Sequence, residues 1–342
     1  MKRFLPVMLM VFLLVSVSLA VLWHQYRQFV LTPLQIEQSG LVIVVEPGTN
    51  TRSVLAKLDQ QGVTHLDWRW RLLSRLRPVT IKAGEYQLTA GLSPHGLLDL
   101  LASGKVVSYR FTIVEGWSVK QLLNALSMDP VLQHEIENPE ELEGLPGLPE
   151  GKPEGWFLPE TYVFVRGDSD LHILRRAYND MSESLASVWA TRDVGLPYET
   201  PYELLIMASI IEKETSLSSE RAEIAGVFVR RLLKHWRLET DPTVIYGMGE
   251  AYQGNIRRQD LKRDTPYNTY TRHGLPPTPI ALPGLAALRA AAHPASGEAM
   301  FFVANGQGGH TFSVTLEAHN KAVKQLIKQT RQNPVEAENK GS

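Results

Sequence analysis

The sequence has no cysteine among its 342 residues. This absence excludes disulfide bonds, zinc–thiolate sites, a catalytic thiol and a lipid-bearing N-terminal cysteine. The 35 basic and 36 acidic residues give a formal net charge of −1, so the composition provides no broad basic surface. We therefore expect neither a thiol-dependent enzyme nor a partner of nucleic acid.

Several common catalytic signatures are also missing. There is no His-Glu-x-x-His motif, and His293, His310 and His319 lack the short spacing typical of metal ligands. No Gly-x-Ser-x-Gly sequence marks a serine nucleophile. No glycine-rich phosphate loop follows a strand. The sequence thus predicts no metal and no cofactor.

One long uncharged segment is present, from Phe4 to Trp23. Its length is enough to cross a bilayer as a helix. Lys2 and Arg3 should remain cytoplasmic, which places the rest of the chain outside the cytoplasm. The alternative is a cleaved signal peptide, because Ser18-Leu-Ala20 is an acceptable cleavage site. The length of the run favours a retained single-pass anchor (residues 1–23). We expect this anchor in the inner membrane and the rest of the chain in the periplasm. A linker is predicted at residues 24–40.

A weak repeat occurs between residues 41 and 129. Three segments each combine an apolar extended stretch, a glycine turn and an amphipathic helix. Two residues after each glycine stands a favourable helix N-cap: Asn50, Ser93 and Ser118. No single unit could bury its helix face alone, so we expect small sheets covered by helices. A further helix is predicted around Trp68 to Leu73.

The first of these units resembles a LysM module. Its sequence is Val42-Ile-Val-Val-Glu-Pro-Gly-Thr49, followed by a capped helix. LysM modules bind the N-acetyl sugars of peptidoglycan and chitin, so the resemblance implies sugar binding. The motif is short and degenerate, and a spacer or packing role is the alternative.

The second half of the chain is predicted to be mainly helical with a small β element. Residues 130–159 are rich in proline, glycine and glutamate and read as a linker, residues 160–330 as a domain, and residues 331–342 as a polar tail. Predicted helices cover Asp170 to Trp189, Pro201 to Glu214, Ser219 to His235, Pro283 to Ala292 and Thr315 to Thr330, and predicted strands cover Ala299 to Ala304 and Thr311 to Ser313. The fold class is therefore α+β.

The helix from Pro201 to Glu214 is the most informative segment. Thr200 and Glu203 have the spacing of a capping box, and Pro201 occupies the first helical position. At 100° per residue, Glu214 shares a face with four apolar residues: Leu204, Met207, Ile210 and Ile211. A carboxyl group on an apolar face has a raised pKa, which suits a general acid. The alternative is a helix-end carboxylate that meets solvent or an arginine.

The end of this helix, Ala208-Ser-Ile-Ile-Glu-Lys-Glu-Thr215, resembles the motif around the single catalytic glutamate of lytic transglycosylases. More motifs follow in order: Leu238-Glu-Thr-Asp-Pro-Thr-Val-Ile-Tyr-Gly247, Thr265-Pro-Tyr-Asn-Thr-Tyr-Thr271, Gly274-Leu-Pro-Pro277, Ile280-Ala-Leu-Pro-Gly284, Ala290-Ala-Ala-His-Pro294 and Gly308-Gly-His-Thr-Phe312. Together they are similar to the endolytic murein transglycosylase, or YceG-like, family. One departure is Glu239, where a neutral polar residue is expected.

The resemblance implies a membrane anchor, a LysM-like region and a lysozyme-like catalytic domain in which Glu214, not Glu212, is the catalytic residue. It implies cleavage of the β-1,4 bond between N-acetylmuramic acid and N-acetylglucosamine without water, which leaves a 1,6-anhydro end. The substrate would be nascent peptidoglycan glycan strands, and peptidoglycan synthases are possible partners. A catalytically silent glycan-binding scaffold is the competing function.

Five further residues are candidates for substrate binding beside Glu214. Asp241 could position the substrate or the acid, although a turn-forming role is sufficient to explain it. Asn268 and Tyr270 offer amide and aromatic groups suited to sugars, with core packing as the alternative. His310 could orient the N-acetyl group or a peptide stem, and Glu160 is a second carboxylate for the cleft. His293 is assigned to a helix end.

Overall fold

The computed structural model describes residues 4–136 and 152–332, together with positions 138, 141, 142, 145, 147 and 148. Parts of the predicted linker and most of the predicted polar tail lie outside the described residues. Helices and short strands alternate in the described chain, which confirms a mixed α and β structure. The chain divides into two compact units: Met1–Tyr109 with Val163–Asp168, and Arg110–Tyr162 with Ser169–Ser342.

The first unit contains an N-terminal helix followed by a two-stranded sheet and three helices. Its elements are α1 (Phe4–Leu31), β1 (Leu41–Val45), α2 (Thr51–Gln60), α3 (Trp68–Leu76), β2 (Gly84–Leu88) and α4 (Pro94–Ser103). Strands β1 and β2 are antiparallel, with Ile43 opposite Tyr86. The predicted caps are confirmed, since Asn50 accepts a hydrogen bond from Ser53 N and Ser93 accepts one from Gly96 N.

Helix α1 is longer than the uncharged run and continues to Leu31. The segment Val7–Leu31 is long and apolar enough to cross a membrane. Beyond the run, Tyr26 is buried in the core of the first unit, and the ring of Phe29 packs edge-on against Trp70 at 5.2 Å between ring centres. Residues 24–31 of the predicted linker are therefore helical, and Tyr26 and Phe29 among them pack against the first unit.

The second unit is built mainly from helices. Its elements are α5 (Val119–Ser127), α6 (Asp170–Ala190), α7 (Pro201–Glu214), α8 (Ser218–Leu233), α9 (Asp241–Met248), α10 (Arg258–Lys262), α11 (Leu285–Ala292), β5 (Phe301–Ala304), β6 (His310–Ser313) and α12 (Leu316–Gln332). Strands β5 and β6 form an antiparallel hairpin. Strands β3 (Ser108–Thr112) and β4 (Thr161–Val165) pair with each other, and the division between the units falls within both strands.

Helix α7 lies at the centre of the second unit. Every residue from Leu204 to Ile211 is buried, and the helix packs against α6, α8, α9 and α11. A helix that is apolar on all sides is stable only inside a core, which is why the predicted stripe understates its burial. Thr200 accepts a hydrogen bond from Glu203 N at 3.3 Å and Pro201 begins the helix, as predicted.

Three elements differ from the sequence-based expectation, one of them the short helix α10, which was not predicted. Strand β4 was not predicted, and the Thr-Asp-Pro-Thr sequence begins helix α9 where a turn was expected. A threonine before the helix and a proline at its second position are ordinary signals of a helix start. They were read as a turn because the apolar stretch that follows them is short. The likeness of the first unit to LysM, the likeness of the second to lysozyme, and the domain limits stay predictions.

Candidate active site

Glu214 is the last residue of α7, and the backbone becomes extended at Thr215. The hydroxyl oxygen of Thr215 accepts a hydrogen bond from Leu217 N at 3.0 Å, which turns the chain into α8. Residues 204–211 of α7 are buried, whereas the carboxyl group of Glu214 at the end of the helix is partly exposed. The helix end thus places one acidic group between an apolar interior and solvent.

The surroundings of Glu214 raise its pKa to about 7, mainly because burial disfavours the charged form. Thr240 donates a hydrogen bond to the carboxylate from its hydroxyl group, and this contact lowers the pKa. The charges of His310 and Arg231 also lower it, whereas the charge of Asp241 raises it. At neutral pH the group is therefore poised to give and to take a proton.

Two other threonines, Thr243 and Thr269, hold Thr240 in place. Thr240 N donates to the hydroxyl of Thr269 at 3.1 Å, and the hydroxyl of Thr243 donates to the carbonyl of Thr240 at 2.8 Å. Thr243 and Thr269 are also hydrogen-bonded to each other at 2.9 Å. All three side chains are buried. The sequence analysis missed them because threonines carry no distinctive spacing, although they lie within two of the quoted motifs.

Asp241 and Tyr270 lie beside Glu214. The hydroxyl of Tyr270 donates to Asp241 Oδ1 at 2.7 Å. Burial and the neighbouring Asp241 raise the pKa of Tyr270, so its hydroxyl stays protonated. The charges of these groups affect one another. The charge of Asp241 raises the pKa of Glu214, and the charge of Glu214 contributes to the raised pKa of Tyr270. The structure thus brings together three of the predicted residues.

Asn268 is placed differently from the prediction. Its side chain is 1% exposed, and the amide nitrogen donates to backbone carbonyls, the shortest bond being 2.7 Å to Arg263. Its amide oxygen accepts from Tyr270 N at 2.9 Å. These bonds use the amide within the protein, which leaves it unsuited to bind sugar hydroxyls. We therefore replace the predicted sugar-binding role of Asn268 with a structural one: it supports the loop that carries Tyr270.

His310 begins strand β6 and is held by Glu220 of α8. The carboxylate of Glu220 accepts from His310 N at 2.8 Å and contacts His310 Nδ1 at 2.7 Å. Burial alone would raise the pKa of Glu220, but the hydrogen bonds from His310 bring it below its usual value. The preceding Gly309 makes room for this contact, because a Cβ there would lie 2.5 Å from Glu220 Oε1. Glu220 was missed, since 90 residues separate it from its partner.

Arg231 is a second residue that the sequence analysis missed. It is buried, and its guanidinium donates to the carbonyls of Met300 at 2.8 Å and Leu238 at 2.6 Å. It also lies 3.8 Å from the carboxylate of Glu239, the residue that departs from the expected motif. Glu239 has a positive φ of 50°, which is uncommon for a residue with a side chain. Arg231 therefore ties the β5–β6 hairpin to the turn that precedes Thr240.

The other predicted residues lie apart from this cluster. Glu160 is exposed just before β4, and its carbonyl accepts from Ile113 N at 3.0 Å. Within residues 152–332, no described hydrogen bond or ion pair joins Glu160 to Glu214. His293 follows the last turn of α11 and contacts Asp193 at 2.8 Å, which agrees with a helix-end role.

Two further carboxyl groups in the unit have raised pKa values. Burial raises the pKa of Glu212, whose oxygens contact Arg221 and Gly284 N, each at 3.0 Å. Burial also raises the pKa of Glu154 to about 7, and this group accepts from Val119 N and Tyr246 Oη. Glu212 is thus a paired structural carboxylate. In the described part of the chain, no hydrogen bond or ion pair joins either group to Glu214, and no cluster of three metal-ligating side chains is found.

These observations describe an α and β protein in which Glu214, a carboxyl group with a raised pKa, ends a buried helix beside Thr240, Asp241 and His310. The family model described as the YceG-like family matches residues 43–325. The chain therefore belongs to the YceG-like family, as its motifs predicted.

Named relatives agree with this assignment. An endolytic murein transglycosylase of Bacillus subtilis (strain 168) is 27% identical over 88% of this chain and 89% of its own length. One of Streptococcus pneumoniae (strain D39) is 26% identical over 89% of this chain but only 62% of its own length. The crystal structure of a putative YceG-like protein from Listeria monocytogenes has 27% identity and a TM-score of 0.52, covering 83% of this chain and 99% of that one.

Proposed function

We propose that this protein is an endolytic peptidoglycan lytic transglycosylase that uses Glu214 as its only acid and base. The observation that carries the proposal is the Glu214 carboxyl group, whose pKa of about 7 lets it hold a proton at neutral pH and release it to a substrate. Membership of a family with curated members named endolytic murein transglycosylases supports the substrate class.

The reaction begins with protonated Glu214. Its proton passes to the oxygen of the glycosidic bond between N-acetylmuramic acid and N-acetylglucosamine, and the bond from muramyl C1 to that oxygen breaks. The N-acetylglucosamine residue leaves with a hydroxyl group. The positive charge at C1 is shared with the sugar's own N-acetyl group.

The second half returns the proton to the enzyme. Glu214, now a carboxylate, removes the proton of the muramyl C6 hydroxyl, and the oxygen attacks C1 to close the 1,6-anhydro ring. No water is consumed, and Glu214 ends in its starting state. Hydrolytic glycosidases usually need a second carboxylate to activate water or to act as the nucleophile. An intramolecular nucleophile removes that need.

The neighbours of Glu214 have separate parts in this proposal. Thr240 fixes the carboxyl group, and Asp241 keeps its proton affinity high. Tyr270 is partly exposed and offers an aromatic face for a sugar ring. His310, oriented by Glu220, presents its other ring nitrogen for the N-acetyl group or a peptide stem. Glu160 remains a candidate for a more distant part of the cleft.

The proposed location follows from α1. As a retained single-pass anchor with its N-terminus in the cytoplasm, α1 would hold the enzyme at the outer face of the inner membrane. Such an enzyme meets nascent glycan strands before mature wall, and peptidoglycan synthases would work beside it. The apolar character of Val7–Leu31 supports this placement.

Product analysis tests the proposed reaction. Uncrosslinked glycan is incubated with the protein, and the products are measured by mass spectrometry. We expect fragments that end in 1,6-anhydro-N-acetylmuramic acid, one water lighter than hydrolysed fragments. Ordinary reducing ends would show a hydrolase, and intact glycan bound to the protein would show a scaffold.

The pH dependence of cleavage should move in opposite directions in two variants. Cleavage needs protonated Glu214, so the rate falls as pH rises through its pKa of about 7. The charge of Asp241 raises the pKa of Glu214. In the Asp241→Asn variant the alkaline fall in rate should therefore begin at a lower pH than in the parent. His310 lowers the pKa, so the His310→Gln variant should remain active to higher pH. Initial rates between pH 5 and 9 measure both shifts.

The opposite signs provide the control for this experiment. A variant that only disturbs packing lowers the rate at every pH and leaves the alkaline limb where it was. Shifts in the same direction for both variants would contradict the assigned electrostatic roles.

A further inference from the structure

Helix α3 of the first unit has an exposed face with an unusual composition. Trp68 and Leu76 are 40% and 57% exposed, and Arg71 and Arg75 are exposed on the same side of the helix. The opposite side carries Trp70, which is buried in the core. α3 itself contains no acidic residue. Such a face, with exposed tryptophan and leucine beside arginine, matches the composition of segments that lie in a membrane interface.

Within residues 4–136, two of the four arginines on or beside this face have no described acidic partner. Arg69 is paired with Asp67 through Nε at 2.8 Å, and Arg77 pairs with Asp99 at 3.1 Å. Arg71 and Arg75, by contrast, make no described hydrogen bond or ion pair within residues 4–136. These two guanidinium groups are therefore free to bind anions from outside the protein.

Helix α3 packs against the part of α1 that directly follows the apolar run. The ring of Trp23, the last residue of the uncharged run, lies 5.5 Å from that of Tyr26, which belongs to the core of the first unit. Phe29 contacts Trp70 of α3, and the guanidinium of Arg69 stacks over Phe29 at 4.8 Å. Helix α1 itself therefore leads from the apolar run to the residues that contact α3.

The distances favour contact with lipid headgroups. Phe29 lies six residues beyond Trp23, which is about 9 Å along a helix. The headgroup layer on each side of the hydrocarbon core is about 5–8 Å thick. The arginine and tryptophan side chains of α3 therefore need to extend only a short distance to reach the lipid headgroups.

We propose that the exposed face of α3 is a membrane-docking surface that binds the headgroups of anionic phospholipids in the bilayer crossed by α1. The inference rests on the proposed anchor but not on the proposed reaction. Docking would fix the orientation of the first unit on the membrane, which a single helix alone leaves free to rotate and tilt. The phosphate groups of anionic lipids complement the charge of the two free guanidinium groups.

Spin-label accessibility tests the docking surface on the full-length chain. Because the protein has no cysteine, a single Leu76→Cys substitution accepts one nitroxide label on this face. The labelled protein is placed in nanodiscs of phosphatidylcholine with or without phosphatidylglycerol. We expect the label to be shielded from a water-soluble relaxation reagent only when phosphatidylglycerol is present. The Arg71→Gln/Arg75→Gln double variant should lower the ratio of docked to free protein roughly thirtyfold.

Matched controls separate docking from anchoring and from catalysis. The Arg52→Gln/Lys105→Gln double variant removes the same charge from exposed positions elsewhere in the unit and should keep the label shielded. A label at Val15→Cys reports insertion of α1 independently. Glycan cleavage in detergent should be unchanged by Arg71→Gln/Arg75→Gln.

The proposal is overturned if the label at position 76 is equally accessible to water in both lipid mixtures. It is also overturned if the label is shielded in both mixtures and the two charge variants behave alike, since anionic headgroups would then not be recognised. A water-exposed label at position 15 would reject the anchor and the docking surface together. None of these results would alter the outcome of the product analysis.

Discussion

Replacing Glu214 with glutamine should reduce glycan cleavage by about 10²–10⁴-fold or more, because one side chain supplies both the acid and the base. Glutamine has nearly the same shape and still accepts the hydrogen bond from Thr240, but its amide has no acidic proton that it can transfer to the glycosidic oxygen. The rate of release of anhydro-terminated fragments from uncrosslinked glycan measures the effect. The matched control is Glu203→Gln, at the solvent-facing start of the same helix, which should retain the parent rate.

The same Glu214→Gln variant should be more stable than the parent at alkaline pH. The folded protein holds the Glu214 proton up to pH about 7, whereas an unfolded chain loses it near pH 4.3. The stability of the parent therefore falls as pH rises through this window, and glutamine avoids that loss. Because the group is partly exposed, we expect a gain of roughly 1–3 kcal/mol at pH 8 and almost none at pH 4.

Stability and activity then change in opposite directions, which excludes unfolding as the cause of inactivity. Denaturant titrations at pH 4 and pH 8 measure the difference. Full cleavage activity in Glu214→Gln would remove this residue as the acid. Inactivity combined with lower stability at pH 8 would point to a structural role instead.

Removing Arg221 should cause the largest loss of stability among single substitutions in the second unit that leave the apolar core unchanged. Its guanidinium lies 3.0 Å from Glu212 Oε1, and the two side chains are 9% and 4% exposed. It also contacts the more exposed Glu115 at 3.3 Å. Arg221→Met leaves a buried carboxylate without its cation, which costs about 3–5 kcal/mol in comparable sites.

Thermal unfolding at pH 8 should show a fall in Tm of roughly 10 °C for Arg221→Met. The loss should be smaller at pH 5, because burial raises the pKa of Glu212 and a neutral carboxyl group tolerates the missing cation. The Glu212→Gln/Arg221→Met double variant removes the uncompensated charge and should recover most of the Tm. An unchanged Tm in Arg221→Met would contradict the importance of this ion pair.

The two neighbouring glutamates illustrate why position on a helix decides chemistry. Glu212 is paired with an arginine and a backbone amide, so its buried charge is compensated. Among the residues that the structure describes, Glu214 is partnered only by the hydroxyl group of Thr240 and by more distant charges, so its pKa stays high. Sequence periodicity alone separates the two residues, because two positions along a helix amount to a rotation of about 200°.

Several features of the fold were predictable from local sequence. The bounds of α7 agree with its capping threonine and its last carboxylate, and the asparagine and serine caps of α2, α4 and α5 were read from glycine spacing. Hydrogen bonds within a helix and at its cap join residues close in sequence, so their pattern is written locally. Strand β4 does carry a local signal, because its residues are β-branched and aromatic and alternate in burial, but the sequence analysis overlooked it. Its pairing with β3 could not be read locally, because the two strands are far apart along the chain.

The sequence by itself determined the apolar N-terminal helix, the bounds of helix α7, the identity of Glu214 as the candidate acid, and the family. Only the tertiary structure decided which groups surround that acid. It brought Thr240 and Asp241 to the end of α7, coupled Glu220 to His310, placed buried Arg231 between two segments, and assigned Asn268 to loop support. The reason is physical: the pKa of a group depends on burial and on charges a few ångströms away, and these are set by residues from distant parts of the chain.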